Sequence, residues 1–209
     1  MGGCEGEKEM SGGTKRKKVF GRCGEPAEEL MRAYALLESV TPLAVDCGNI
    51  CGRACCRGDG HTGMGLFPYE EQLLKVEPDF SILPTEDNEG YGLCVCRSVC
   101  RRRSRPLACR MFPFFPLVYE NRRTGAWGIR VIPDPRGSSV CPLIRQKVPP
   151  QPLFERRLRR AARHMLREPK LREYLLQTSR FLMDIEAIRR KLEQSGSFYT
   201  ACKNAGHTL

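Results

Sequence analysis

The residues predict an α+β fold: a small, irregular, cysteine-rich module with one β-hairpin, packed with flanking helices and followed by a C-terminal helical hairpin. Three observations carry this. The stretch from Cys47 to Gly65 is rich in Gly and Cys and has neither a helical nor a strand period. Two β-prone runs, Phe114 to Tyr119 and Ala126 to Ile132, are joined by a segment that ends in Gly125. After residue 151 the composition switches from a proline-punctuated segment to strong helix formers with apolar residues at helical spacing.

Taken along the chain, residues 1–24 are Gly- and Lys-rich with the basic run Lys15 to Lys18, and read as a flexible basic tail. Glu25-Pro26 opens a helix with Leu30, Tyr34 and Leu37 on one face, which should end before Thr41-Pro42. Pro68 to Val76 reads as a short helix, and Ser81 to Gly90 as an acidic connecting loop. Glu70 and Glu71 open that short helix, where the helix dipole favours carboxylates; facing a metal is their other reading. Asn121 to Gly125 reads as the hairpin turn, with Gly at a position needing positive φ. Residues 25–150 form the cysteine-cluster unit, residues 151–196 the helical hairpin, and 197–209 a short tail. In the hairpin, Leu153, Phe154, Leu158, Ala162, Met165 and Leu166 oppose an arginine-rich face from Arg156 to Arg167. Pro169 breaks that helix. A second follows, with Leu171, Tyr174, Leu175, Phe181, Leu182, Ile185, Ile188 and Leu192 in register, and ends near Ser195-Gly196.

The chain has 209 residues, 12 cysteines and a net charge of +11. It is shorter than a (β/α)8 barrel, typically about 250 residues. Met1 to Met10 contain no apolar core of a secretory signal, and no run approaches the ~18 apolar residues of a membrane span, so a cytoplasmic location without a membrane partner is expected. In a reducing compartment a cysteine cluster points to metal before disulfides. No nucleotide-binding Gly-rich loop, serine-hydrolase elbow or His-Glu-x-x-His motif is present, and the three-cysteine spacing of radical enzymes is not met. His61 reads as a surface-loop residue, and His164 and His207 as inert.

The chemistry concentrates in Cys47-x3-Cys51-x3-Cys55-Cys56, in Cys94-x-Cys96-x3-Cys100, and in Arg105-Pro-Leu-Ala-Cys109-Arg110-Met-Phe112-Pro113, with Cys141 downstream. Closely spaced thiolates are soft ligands for Zn²⁺ or iron-sulfur clusters, and Gly48 and Gly52 suit the turns that let sulfurs converge. Adjacent side chains tend to point apart, so Cys55 and Cys56 serve different centres, or one ligates and the other packs. The expected ligands are Cys47, Cys51, Cys55, Cys56, Cys96, Cys100, Cys109 and Cys141, with Cys94 as a spare. Uneven cysteine blocks without paired C-x2-C knuckles lean towards iron-sulfur over zinc; ligand type alone separates neither metal nor number of centres.

These blocks resemble the YkgJ-type cysteine-cluster family, described as a zinc- or iron-chelating domain with a C-x3-C-x2-C-C block and a later C…R-P-x-x-C-R-x-[FY]-P block. Cys100, Arg105, Pro106, Cys109, Arg110, Phe112 and Pro113 match the later block, while Cys51 and Cys55 are one residue further apart than that pattern and more similar to the block of flagellin lysine N-methylases. The resemblance covers about residues 47–145 and implies a metal-binding domain without a settled reaction. The lysine N-methylase likeness implies a protein-modifying enzyme as the alternative.

Thiolate centres carry net negative charge that must be offset when buried. Arginines interleave with the cysteines, and Arg105 and Arg110 are the expected donors to sulfur or backbone around the cofactor. Part of the +11 thereby serves the centre itself. A protein partner or substrate stays unidentified, and nucleic acid, bound through Arg156 to Arg167 around a structural zinc, is the less favoured partner because that helix has few aromatics to stack on bases.

Overall fold

In the computed structural model, residues 27–57, 63–74, 80–84, 91–96 and 101–204 are described, with side chains described as far as residue 195. Helix α1 spans Glu28–Leu37 and buries Leu30, Ala33, Tyr34 and Leu37, the face expected from its apolar period. One-turn helix α2 spans Gly48–Cys51 and is followed by a 3-10 turn at Ala54–Cys56. Strand β1 (Met64–Gly65), helix α3 (Glu70–Leu74), strand β2 (Phe80–Leu83) and strand β3 (Leu93–Cys96) come next. The three strands form an antiparallel sheet in the order β1-β3-β2, with Met64 opposite Cys94 and Phe80 opposite Cys96.

This small sheet corrects the reading of Ser81 to Leu83 as loop, while residues 85–90 of that expected loop lie outside the described residues. Its strands are four residues or shorter, so they offer too few alternations for a period to emerge.

Helix α4 (Leu107–Met111) leads into hairpin strands β4 (Phe114–Glu120) and β5 (Trp127–Pro133). Their register runs from Phe114 opposite Pro133 to Glu120 opposite Trp127. Gly125 sits at φ +66° in the turn, the left-handed conformation that glycine adopts without steric cost. Phe114 to Val118 are all buried, because α7 covers β4 and α6 packs on both strands. That two-sided cover explains the nearly continuous apolar run in β4.

The proline-rich segment contains a 3-10 turn at Pro135–Gly137 and helix α5 (Pro142–Arg145), each with proline at its first position. Helix α6 spans Pro152–Met165 and α7 spans Pro169–Asn204. Glu168 caps α7: its Oε2 accepts the Leu171 N–H at 2.7 Å, while its Oε1 accepts the Tyr69 hydroxyl at 3.0 Å. The helix continues past Ser195-Gly196 to Asn204, beyond the expected end.

The two C-terminal helices do not fold chiefly on each other. Helix α6 lies on α1, with Phe154, Leu158, Ala161, Ala162 and Met165 buried, and the Glu29 carboxylate bonds His164 Nδ1 across that interface at 2.7 Å. Helix α7 instead packs on β4. A single apolar cluster therefore joins α1, α4, β4, α6 and α7. Its last buried member is Leu182; Ile188 and Leu192, expected on the packed face, are exposed because α7 outruns the body it packs against, and Phe181 is exposed on the outward side of the turn that buries Leu182.

Ser179, fully buried on α7, links it to the hairpin. Its Oγ donates to Leu175 O at 2.6 Å and accepts the Val118 N–H at 2.9 Å. Ser179→Ala leaves that strand N–H unsatisfied and is expected to lower stability by about 1–3 kcal/mol, measured by urea denaturation. On α6, Arg156, Arg160 and Arg163 are exposed along one stripe that Arg167 extends just past the helix, whereas Arg159 is held by Glu155 and donates to Ile129 O. No helix among the described residues is long and apolar enough to cross a membrane.

Candidate metal centre

Helix α2 places Cys47 and Cys51 one turn apart, the Cys51 N–H donating to Cys47 O at 3.1 Å, so their side chains lie on one face. Gly52 (φ +61°) ends that turn in the left-handed region, followed by Arg53, also left-handed at φ +57°. Two successive left-handed residues redirect the chain into the 3-10 turn that carries Cys55 and Cys56. The left-handed φ favours glycine at position 52; the nearest atom to an added Cβ would be the Arg57 guanidinium at 2.9 Å, the end of a flexible side chain that can move aside. Gly48 is helical.

Cys47, Cys51 and Cys55 line a small cavity of about 20 Å³, and Cys141 closes it from the start of α5, with Phe112 and Val140 among its apolar walls. A larger adjoining cavity, about 410 Å³, is lined by Cys47, Cys55 and Cys56, by Cys94 and Cys96 of β3, and by Cys109 of α4. Each of the eight cysteines whose side chains are described thus faces one of two neighbouring spaces, which share Cys47, Cys55, Phe112 and Val140. No disulfide joins any of them.

As the side chains stand, no three Cys, His, Asp or Glu groups among the described residues are gathered as a metal-holding set. Cysteine positions its sulfur through one torsion, so enclosing an ion calls for rotation of these thiols.

Cys94, expected as a spare, lies on the same face of β3 as Cys96, lines the same chamber and also packs with Leu66, Leu74 and Phe80. The Cys-x-Cys spacing on a strand, period two, was the available signal. The Cys55 and Cys56 sulfurs do not point fully apart: they are 4.0 Å from each other, with Cys55 facing both cavities and Cys56 only the larger. Cys100 and His61 lie outside the described residues.

The flanking arginines have distinct roles. Arg105 pairs with Asp46 at 3.5 Å, immediately before Cys47. Burial pushes the Cys47 thiol up, Asp46, Cys51 and Cys141 push it in the same direction, and Arg105 opposes them. Arg110 is buried and spans the backbone: it donates to Arg105 O at 3.0 Å, Arg103 O at 2.6 Å and Tyr34 O at 3.3 Å, with its guanidinium 4.6 Å from the Tyr34 ring centroid. Of the two expected targets, sulfur or backbone, Arg110 takes backbone. It holds the 103–105 loop against α1, just ahead of Cys109. Arg102 donates to Glu38 O at 3.2 Å and to Val40 O, satisfying carbonyls beyond the end of α1.

Glu70 faces no cysteine. It is fully buried and accepts from the Tyr34 hydroxyl, from Phe67 N at 2.8 Å and from Leu107 N at 2.5 Å. This carboxylate fastens α1, α3 and α4 together and so positions Cys109. Nothing in the spacing of Glu70-Glu71 distinguished the buried acid from its half-exposed neighbour, because the partners come from residues 34 and 107.

Compared with protein families, with curated proteins and with solved structures, the chain matches none.

Proposed function

We propose that the protein binds metal through its cysteines, as Zn²⁺ or an iron-sulfur cluster, in the space between the Cys47–Cys56 segment, β3, α4 and the Val140–Cys141 turn. The observation that carries this reading is the convergence of eight thiols from four separate chain segments on two adjoining cavities. A thiol used only for packing has no reason to gather with seven others, whereas soft-metal coordination requires it. Thiolates suit both metals by donor chemistry, and of the arginines on the larger cavity Arg105 and Arg136 pair with Asp46 and Asp134 of the same lining, so Arg53 and Arg57 supply its excess positive charge against thiolate ligands.

The Cys47–Arg57 segment supports the same reading energetically. Neither α2 nor the following 3-10 turn buries a residue, so burial of apolar surface contributes little to holding it in place. Metal coordination supplies cohesion in such segments.

Metal analysis of protein purified anaerobically tests the proposal. Bound zinc, or iron with acid-labile sulfide, in amounts stoichiometric with protein is the expected result. Protein that remains metal-free after anaerobic reconstitution with either metal would overturn it.

A further inference from the structure

We propose that the exposed arginines of α6, together with Trp127 of the β4–β5 hairpin, bind single-stranded nucleic acid, with phosphates on the arginines and an unpaired base on the indole. This surface shares no residue with either cysteine-lined cavity and stands independently of the metal-binding reading.

Arg156, Arg160 and Arg163 recur at i, i+4 and i+7, so they form one stripe on the face of α6 opposite the buried Phe154, Leu158, Ala161 and Met165. Neighbours in such a stripe are about 5–6 Å apart. All three are exposed, and among the described residues none of them is in an ion pair, whereas Arg159 is taken up by Glu155. Arg167 extends the row, 3.8 Å from Glu29. A row of guanidinium groups without carboxylate partners, on a face that packs against nothing in the chain, is suited to the fork-like hydrogen bonding of phosphate oxygens.

Helix α6 exposes no aromatic ring of its own for a base; the fold supplies one. Phe154, near the start of α6, has its ring centroid 6.1 Å from that of Phe114, whose hairpin partner is Pro133 at the end of β5. Further along the helix, Arg159 donates to Ile129 O. The helix therefore advances along β5 towards the hairpin turn, carrying Arg160 and Arg163 in the direction of Trp127, the first residue of that strand. By the alternation of a strand, Trp127 shares a face with Ile129 and Val131, which pack on the same apolar cluster as α6, yet it remains 40% exposed. Arg122 and Arg123, exposed in the turn, add positive charge at this end and outnumber Glu120, which sits opposite Trp127. The arginine row alone would attract any polyanion. The exposed indole selects single strands, because a base reaches an aromatic face only when it is out of a duplex.

Trp127 is the single tryptophan of the chain, so its fluorescence reads the contact without a label. Titration of the full-length protein with an oligothymidylate of about 12 nucleotides, within the ~4–16 that a small binding module spans, is expected to quench that fluorescence. Affinity, followed by anisotropy of a labelled strand, should fall with salt at a log–log slope of about −0.7 for each phosphate engaged. The double variant Arg160→Ala, Arg163→Ala should bind more weakly and flatten that slope by about 1.4. Trp127→Ala is expected to weaken binding roughly 5- to 100-fold with the slope unchanged, and Trp127→Phe to recover most of the loss. All three side chains are exposed, and circular dichroism checks that each variant keeps the parent fold. The absence of quenching in the unmodified protein at low salt overturns the proposal, and so does binding that survives the arginine substitutions. A duplex of the same length bound as tightly as the single strand overturns the stacking role and with it the choice of partner. Binding to vesicles of anionic phospholipid but not to the oligonucleotide would assign this face to a membrane surface and overturn it equally. Metal content is unaffected by any of these outcomes, so the metal-binding reading stands or falls separately.

Discussion

Replacing Glu70 with alanine is expected to lower the free energy of unfolding by about 3–5 kcal/mol, among the largest effects of any single substitution outside the cysteines. The carboxylate satisfies the Tyr34 hydroxyl and two backbone N–H groups, Phe67 and Leu107, at a site with no exposure to solvent. Removing it takes the acceptor from the Tyr34 hydroxyl and from the Phe67 N–H, each costing about 1–3 kcal/mol when left unsatisfied in the interior, while the Leu107 N–H keeps its 3.0 Å bond to the Tyr34 oxygen. Glu70→Gln keeps the shape but turns an amide N–H₂ towards a backbone donor, so a smaller loss of about 1–3 kcal/mol is expected.

Burial pushes the Glu70 carboxyl above its usual range, opposed by its hydrogen bonds and by Arg110. The folded state therefore holds that proton more tightly than the unfolded chain. The resulting contribution to stability is fully present below the ordinary glutamate range and is lost as pH rises through the raised value. Urea denaturation across this range checks both points. A Glu70→Ala protein as stable as the parent, with the same pH slope, would show that the buried carboxylate does no such work.

On the proposed metal-binding reading, removing the metal is expected to release the cysteine segments while the helical body stays folded. The main apolar cluster, from Leu30 to Leu182, contains no cysteine. The second cluster is small, only Leu66, Leu74, Phe80 and Cys94, and adjoins β3. With structural zinc contributing on the order of 10 kcal/mol in metal-dependent modules, chelation should abolish hydrogen-exchange protection at Cys51, Arg53 and Cys56, whose N–H groups bond only within their own short segment. Amides of α1, α6 and α7 should keep theirs. Exchange measured by NMR before and after chelation reads this directly. Equal loss throughout the chain would mean that metal and helical core form one cooperative unit, and unchanged protection at Cys51 would mean that metal does not hold α2.

Patterns of long reach were legible in the residues. The α1 face at Leu30, Tyr34 and Leu37, the β4–β5 hairpin with its left-handed Gly125, and the division of α6 from α7 at Pro169 all follow from local periodicity and backbone chemistry. So did the candidate thiols, because closely spaced cysteines carry their own signal. Short features escaped. The β1-β3-β2 sheet was hidden by strand length, and the full extent of α7 by a Ser-Gly pair that a helix this long carries without ending.

What the sequence determined by itself is an α+β class and the blocks of cysteines that make a candidate thiol site, since both depend on neighbours a few positions apart. Only the tertiary structure decided which thiols share a space, that Cys94 faces the same chamber as Cys96 and Cys109, and that Arg110 grips backbone carbonyls of residues 34, 103 and 105. It likewise decided that Glu70, in the first turn of α3 as expected, is also a buried fastener. The physical reason is the same in each case: burial, charge compensation and convergence are properties of groups brought together from distant parts of the chain, and no local pattern encodes the partner.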